Sequence, residues 1–249
     1  MTARPAGLEV LVNAYRTACQ QPVEIHPANW ESALADYAIL LRDNRYTSEI
    51  ARSSHRLIGR DGLRRACGSI SSPLLSCQAL VLVMAWGSGR IDSRTIRHTG
   101  WALAKAEDAH RMLVRSAEQL KSAATLRDGS LEQAYRAWRL PGIRRSFFTK
   151  WFAFAGYTAE RSWQPLILDD RVLRTLNKTL NIGTQTLAGS RLWSRRYVAY
   201  VEALHQWSAE LSEDRVIVDA SQLEWILFRH NGAALPTTET ARATEDLDC

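Results

Sequence analysis

Apolar residues recur through most of the chain at spacings of three and four positions, the period of one face of an α-helix. Alternating apolar and polar residues, which would predict strands, form no convincing run. The pattern predicts helices over residues 8–20, 29–42, 47–58, 74–86, 101–125, 131–139, 145–156, 170–180, 193–212 and 220–230. Asp219 and Gln222 form a predicted capping box for the last of these helices, and Asn231 marks its end. The chain is therefore predicted to be all-α.

The longest apolar stretch runs from Pro73 to Trp86 and is interrupted by Ser76, Cys77 and Gln78. A membrane-spanning helix needs about 20 consecutive apolar residues, so this stretch predicts a buried helix of a globular protein. The first residues of the chain are polar and charged where a signal peptide has an apolar run. We expect no membrane insertion and a cytoplasmic location.

The charge of the chain is unevenly distributed. The formal net charge is +6, and residues 234–249 contribute −3, so the remainder carries +9. An excess of this size suits a polyanionic partner. Only four of the 32 basic residues are lysines, a bias that a GC-rich genome would also produce. Arginines cluster within residues 42–65 and at Arg90, Arg94, Arg97, Arg136, Arg139, Arg144, Arg145, Arg191, Arg195 and Arg196. These clusters fit either solvated helix faces or a surface that follows DNA phosphates.

The chain contains four cysteines, Cys19, Cys67, Cys77 and Cys249. They form no C-x-x-C pair, and no group of histidines and cysteines has the spacing of metal ligands. They are expected to be reduced thiols, three of them buried, and neither a metal nor an organic cofactor is expected. The acid- and threonine-rich tail, 234–249, has no apolar periodicity and is predicted to be disordered.

Two predicted helices are joined by the turn sequence Leu-Pro-Gly-Ile at 140–143. Such a turn directs the unpaired backbone N–H groups of the second helix towards solvent, where they can bind a DNA phosphate without reading a base. The predicted backbone-binding residues are Gly142, Ile143, Arg144, Arg145 and Ser146. An ordinary corner between two helices would use the same residues.

Two residues are candidates for catalysis. Lys150 lies in the apolar stretch 147–154, where its amine could be a buried nucleophile or could extend into water while its stem packs on the aromatic rings. Asp169 follows an apolar extended stretch and precedes a helix, which it could cap. The same carboxylate could stabilise a cationic sugar or deprotonate an attacking amine or water.

These motifs resemble those of the helix-hairpin-helix DNA glycosylases, in which an LPGVG turn is followed by a lysine and later by an aspartate in a block such as VDTHV. The chain is most similar to the 8-oxoguanine DNA glycosylase-like (OGG) branch, with its phrases SFFTK…FAG, PLILD-x-RV and Y-x-x-YV-x-x-L-x-x-W. The corresponding residues are 146–156, 165–172 and 197–207, and the resemblance covers residues 131–230.

The resemblance implies a two-lobed α-helical fold with a central cleft for DNA and the base, in which Lys150 and Asp169 face each other. The expected boundaries are 1–125 for an N-terminal lobe, 126–233 for the helix-hairpin-helix lobe and 234–249 for the tail. In the family the lysine attacks C1′ of the sugar and expels the base, and the aspartate assists. These roles are expected here for Lys150 and Asp169.

The chain departs from the family pattern at two positions. Arg144 replaces the second glycine of LPGVG, and a strict count places the lysine position at Ser146, one helical turn before Lys150. Positions 146 and 150 share a helix face, so the Lys150 amine could point into the same cleft. Attack by a water molecule that Asp169 activates is the alternative. The cysteines of the iron–sulfur cluster found in some relatives are absent.

A glycosylase rotates its target nucleotide out of the duplex and holds the base between apolar or aromatic groups. Trp86, Trp163 and Gln164 lie beside predicted loops. Gln222 and Trp225 lie on the last helix, with which relatives line the base pocket. These five residues are the base-pocket candidates, and most of the other tryptophans are expected in the core.

The expected partner is double-stranded DNA with a modified or damaged base, bound by a monomer. The substrate is either a bulky modified cytosine of phage DNA, such as glucosylated hydroxymethylcytosine, or an oxidised purine such as 8-oxoguanine. The first would serve anti-phage defence and the second DNA repair. Strand cleavage after base removal stays open. The alternatives are a non-catalytic helix-hairpin-helix module that binds DNA backbone, and a helical interaction protein with no nucleic-acid partner.

Overall fold

The computed structural model describes residues 3–214 and 216–235. The helices are, in chain order, α1 (Leu8–Ala14), α2 (Pro27–Leu34), α3 (Arg60–Gly68), α4 (Pro73–Ser88), α5 (Ser93–Leu103), α6 (Ala106–Lys121), α7 (Ser130–Ala137), α8 (Arg145–Ala155), α9 (Asp170–Arg174), α10 (Thr184–Ala188), α11 (Trp193–Glu213) and α12 (Ala220–His230). A 3-10 helix, Ala35–Arg42, continues α2, and a π-helical turn, Thr175–Thr179, continues α9. The predicted all-α class is confirmed.

Contacts within the described residues divide the chain into two compact units. The first unit comprises Met1–Gln20, Thr125–Arg136 and Arg161–Cys249, and the second comprises Gln21–Ala124 and Ala137–Glu160. Residues 137–160, which the resemblance assigned to the helix-hairpin-helix lobe, belong to the same unit as residues 21–124. Lys150 belongs to the second unit and Asp169 to the first. Most of the predicted tail, from 236 onward, lies outside the described residues.

α4 is the central helix of the second unit. Its residues Ser76–Trp86 are all buried, and it packs against α3, α5, α6 and α8. Ser72 caps its N-terminus by accepting a hydrogen bond from the backbone N–H of Leu75 (3.3 Å), and Pro73 occupies the first helical position. The predicted buried helix is thus confirmed. Among the described residues, no helix combines the length and the apolar character needed to cross a membrane.

A small antiparallel sheet replaces the helix predicted over 47–58, and that prediction is wrong. The strands are β1 (Val23–Ile25), β2 (Ser48–Glu49) and β3 (Arg56–Ile58), in the order β1-β3-β2. Val23 pairs with Ile58, 35 positions later in the chain. Because each strand is only two or three residues long and the pairing is non-local, a local pattern cannot reveal it.

The first unit is built around α11 and α12. Asp219 caps α12 by accepting from the backbone N–H of Gln222 (2.7 Å), and Asn231 in the left-handed conformation (φ 56°) ends it. Both predicted ends are confirmed. Residues 101–125 were predicted as one helix, but they contain only the last three residues of α5 followed by α6, because the backbone leaves the helical conformation at Lys105.

The cysteines follow the sequence prediction in part. Cys67 and Cys77 are buried free thiols, and burial raises the pKa of the Cys77 thiol to about 11. Cys19 is exposed, so the expectation of a buried thiol is wrong there. Within the described ranges, no group of three or more histidine, cysteine, aspartate or glutamate side chains is placed to hold a metal ion.

Candidate active site and candidate DNA-binding hairpin

The turn between α7 and α8 is fixed by contacts to α5. Gly142 has a left-handed backbone (φ 76°), and a Cβ there would lie 2.9 Å from the carbonyl oxygen of His98. Nδ1 of His98 in turn lies 3.1 Å from the carbonyl oxygen of Gly142. On the other side of the turn, Nε1 of Trp138 donates to the carbonyl oxygen of Ile143 (3.1 Å). Glycine is therefore required at 142 for both its conformation and its close approach to α5.

The start of α8 has features of an anion site. Its N-cap residue, Arg144, is exposed and makes no side-chain capping hydrogen bond. Arg145 and Ser146 are half-buried, whereas Ile143 is buried and anchors the hairpin. Helix N-termini attract anions, and a basic residue at the cap strengthens that attraction. Of the five predicted backbone-binding residues, Arg144 presents the most exposed side chain, and Ile143 can offer DNA only its backbone.

Lys150 is buried within the second unit. The residue is 4% exposed, so its amine does not extend into bulk water. Nζ donates to the carbonyl oxygen of Ser146 (2.7 Å) and lies 5.1 Å from the centroid of the Phe147 ring. The amine thus lies beside residue 146, because helical side chains lean towards the N-terminus of their helix.

Gly87 of α4 makes room for the Lys150 side chain. A Cβ at position 87 would lie 2.9 Å from Cδ of Lys150 and 2.9 Å from Cε1 of Phe147. Real Cβ atoms do not approach other heavy atoms so closely, so a larger residue would displace one of these side chains. Gly87 was not among the predicted site residues, since the sequence gives no sign that it contacts α8.

Asp169 is half-buried at the end of an extended segment, 163–169, and immediately precedes α9. Its Oδ1 accepts a hydrogen bond from the backbone N–H of Arg171 (2.9 Å). Asp169 therefore caps α9, which was one of the two roles considered for it. The cap fixes the orientation of the carboxylate and does not conflict with the second role considered for it, assistance in catalysis.

Three buried side chains of α11 and α12 hold the segment that leads to Asp169. The hydroxyls of Tyr197 and Tyr200 donate to the carbonyl oxygens of Leu166 (2.7 Å) and Ile167 (2.8 Å). Oε2 of Glu224, which is 2% exposed, accepts from the backbone N–H of Ile167 (2.8 Å). Burial raises the pKa of the Tyr197 hydroxyl well above its ordinary value, so it stays protonated as a donor. These contacts give the Y-x-x-Y phrase a structural role that its spacing did not reveal.

The base-pocket candidates are distributed over both units. Trp86 belongs to the second unit, where it is 8% exposed and packs edge-on against Phe154 (centroids 5.2 Å apart). Trp163 is 5% exposed, and the guanidinium carbon of Arg161 lies 3.8 Å from the centroid of the Trp163 ring. Both tryptophans have core positions and too little exposed ring to stack on a base without local opening.

The other three candidates belong to the first unit. Gln164 is half-buried, and its backbone N–H lies 3.1 Å from Nε2 of His205. Gln222 and Trp225 are half-buried on α12, and Trp225 meets the edge of Tyr15 (centroids 6.4 Å apart). Tyr15 was missed by the sequence reasoning, because it lies about 200 positions from α12 and carries no local signal.

An all-α fold with a glycine hairpin, followed by a buried lysine and later by a helix-capping aspartate, matches the pattern of the helix-hairpin-helix DNA glycosylases. The chain matches the family described as "Putative 8-oxoguanine DNA glycosylase OGG-like protein" over residues 16–228. The protein belongs to this family. No curated protein and no solved structure matches it. The predicted branch is confirmed, and membership indicates a DNA glycosylase that binds DNA.

Proposed function

We propose that the protein rotates a modified base out of duplex DNA and cleaves its N-glycosidic bond, with Lys150 as nucleophile and Asp169 as the assisting carboxylate. The position of the Lys150 amine supports this most directly. Nζ lies 2.7 Å from the carbonyl oxygen of Ser146, the position at which the family pattern carries its lysine. A side chain rooted one helical turn later thus brings its amine back to the level of that position.

In the proposed reaction the protein opens locally beside Lys150, which is 4% exposed, and the lone pair of the amine attacks C1′ of the flipped nucleotide. The C1′–N bond to the base breaks, and its electron pair leaves with the base, which takes up a proton. The proton lost by the amine passes to Asp169, which then gives it to the departing base. In the sugar–lysine adduct the C1′–O4′ bond breaks, O4′ takes a proton from water, and C1′ and Nζ form a protonated Schiff base. Its hydrolysis frees the aldehyde and Lys150. In the alternative, a water molecule attacks C1′ and gives its proton to Asp169.

DNA binding is assigned to the hairpin before α8. The uncapped N-terminus of α8 and the exposed Arg144 favour a phosphate at this point. Contacts of this kind hold the backbone without reading sequence. The enzyme can therefore slide along unmodified DNA and select its substrate through the base that it flips.

The substrate is one of two chemical classes, a bulky modified cytosine or an oxidised purine. The first would place the protein in defence against phages with modified DNA, and the second in repair. The half-buried Gln222 and Trp225 have accessible surface that could contact a flipped base. Trp86 and Trp163 could do so only after local opening, because both are buried.

The test is mass-spectrometric detection of free base released from unmodified duplex, 8-oxoguanine duplex, and phage DNA with hydroxymethylated or glucosylated cytosine. Asp169→Asn keeps the capping oxygen but removes the charge, and should lower the rate of release about 100-fold or more. Lys150→Gln should do the same if the amine attacks. Asp170→Asn and Lys178→Gln, at exposed positions, are the matched controls.

Two results would contradict the proposal. Release that survives both substitutions would show that neither residue is catalytic. Tight, salt-sensitive binding of duplex with no release from any of the DNAs would favour the non-catalytic backbone-binding module.

A further inference from the structure

A stripe of basic and aromatic residues lies on the exposed face of α5. Arg94, Arg97 and Trp101 are spaced three and four positions apart, so they share one face of the helix. All three are exposed, and Trp101 is 53% exposed. Lys105, also exposed, follows the end of the helix. Arg94, Arg97, Trp101 and Lys105 are called the α5 stripe below.

Within the described residues, the cations of the α5 stripe have no carboxylate partners. Unlike the surface arginines Arg42 and Arg127, which are paired with Glu31 and Glu202, none of the three forms an ion pair among the residues that the structure describes. The guanidinium of Arg97 lies 5.6 Å from the centroid of the Trp101 ring, within the range of a cation–π contact. The stripe therefore combines unpaired positive charge with an accessible ring, a combination suited to a nucleic-acid backbone.

The α5 stripe is continuous with the DNA-binding hairpin in the same unit. The ring of His98 stacks on that of Trp101 (centroids 4.9 Å apart, planes 24° apart), and Nδ1 of His98 lies 3.1 Å from the carbonyl oxygen of Gly142. One contact chain thus connects the exposed tryptophan to the hairpin turn. A displacement of the hairpin would therefore also move Trp101, and the α5 stripe and the hairpin keep a fixed position relative to each other.

A groove of about 490 Å³ lies between the stripe and the hairpin. Its walls include Trp101 and Lys105 on one side and Arg139, Leu140 and Pro141 on the other. Asp108, an acidic residue of the groove, is ion-paired with Arg111, which neutralises it. Basic side chains therefore flank the groove on both sides, and its floor is apolar, so its chemistry is complementary to phosphates and sugar rings.

We propose that the α5 stripe is a second DNA-backbone site, adjacent to the phosphate that the hairpin holds. The inference rests on the proposed function, since its ligand is the same duplex. From Arg94 to Trp101 the helix rises about 10 Å, equal to about three nucleotides at roughly 3.4 Å each. The three cations bind phosphates, and the Trp101 ring covers the sugar between two of them.

The test is the salt dependence of binding to a short undamaged duplex, measured by fluorescence anisotropy. The triple variant Arg94→Gln/Arg97→Gln/Lys105→Gln should bind more weakly than the wild type. The slope of its log K against log salt concentration should be shallower by about three, because each of three lost phosphate contacts removes about 0.9 from the slope. Trp101→Leu should weaken binding about fivefold, because burial of part of one ring is lost. Its slope should be unchanged, because it removes no charge.

A matched triple variant separates the stripe from net charge alone. Arg16→Gln/Arg115→Gln/Lys178→Gln removes two arginines and one lysine from exposed positions that are not part of the α5 stripe. Its slope should stay closer to that of the wild type. Equal slopes in the two triple variants would overturn this inference and leave the proposed function intact. A wild-type protein that binds no duplex would overturn the proposed function as well.

Discussion

At the scale of single residues, the position of the Lys150 amine depends on a neighbour that has no side chain. Gly87 lets the methylene chain of Lys150 pass between α4 and α8, where a Cβ would be only 2.9 Å from Cδ. The hydrogen bond from Nζ to the carbonyl oxygen of Ser146 then fixes the end of the chain. The amine is thus held by packing along its stem as well as by its polar contact.

Gly87→Ala should displace Lys150 and lower the single-turnover rate of base release. A shift of about 1 Å in a reacting group can cost up to about 100-fold in rate, and we expect a loss of about 10- to 100-fold. Gly68→Ala is the matched control, since a Cβ there meets nothing within 4 Å, and it should keep the wild-type rate. Thermal unfolding followed by circular dichroism would show that both variants are folded. A wild-type rate in Gly87→Ala would mean that the rate does not depend on this packing.

The burial of Lys150 could be predicted because the signal is local. Five aromatic residues lie within 147–154, and they make a buried helix face whatever the rest of the fold. The contact with Gly87 could not be predicted, because it joins residues 63 positions apart and depends on how α4 and α8 pack. Asp169 was recognised for the same local reason as Lys150, since an aspartate before a helix is a typical cap.

At the scale of elements, the extended segment 163–169 is held by side chains instead of by a sheet or helix. Its backbone polar groups must be satisfied when they are buried. Tyr197, Tyr200 and Glu224 supply partners for Leu166 and Ile167. The segment therefore reaches Asp169 with a fixed geometry, although it has no regular secondary structure.

Glu224→Leu should destabilise the protein by about 1–3 kcal/mol, because it leaves the buried N–H of Ile167 without its acceptor. Glu224→Gln keeps an oxygen acceptor and should lose less. The free energy of unfolding, obtained from urea denaturation, measures both effects. If the leucine variant proved as stable as the glutamine variant, the hydrogen bond to Ile167 would not be what this side chain contributes.

His205 of α11 makes the same segment sensitive to pH. Burial lowers the pKa of the imidazole, and Arg161 adds to this, while the backbone of Gln164 and Asp219 act in the opposite direction. The unfolded chain binds the proton more readily, so this contribution to stability is present above about pH 6.5 and is lost as the pH falls towards the folded pKa. The thermal midpoint should therefore fall between pH 7.5 and pH 5, and the fall should be smaller in His205→Asn. Identical falls in both proteins would assign the effect to other groups, among them His230, whose pKa burial also lowers.

At the scale of the whole molecule, the helical period was sufficient to predict the fold class, and it carries no information on how the helices group. The spacing of apolar residues in a helix shows which face of that helix is buried, but not which other element packs against it. Residues 137–160 belong to the same unit as 21–124, whereas the residues from 161 onward belong to the other unit. The three short strands were missed for the same reason, since their pairing is non-local.

The residues of the candidate site also differ in whether a local sequence pattern could predict them. The hairpin, Lys150 and Asp169 were predicted because each belongs to a continuous motif within 140–172. The α5 stripe could be predicted only in part. The sequence shows Arg94 and Arg97 as a cluster of charge, but it does not show their link to the hairpin, because the contact between His98 and Gly142 spans 44 positions. Residues that act through distant contacts, such as Glu224, could be found only in the folded chain.

Borohydride trapping of the protein on the DNA whose base it releases tests attack by Lys150 more directly than any other measurement. Peptide mapping by mass spectrometry then locates the reduced sugar adduct. Attack by the lysine amine predicts an adduct on Lys150, absent in Lys150→Gln and in samples without borohydride. An adduct on another residue, or base release at the wild-type rate by Lys150→Gln with no adduct, would contradict lysine attack.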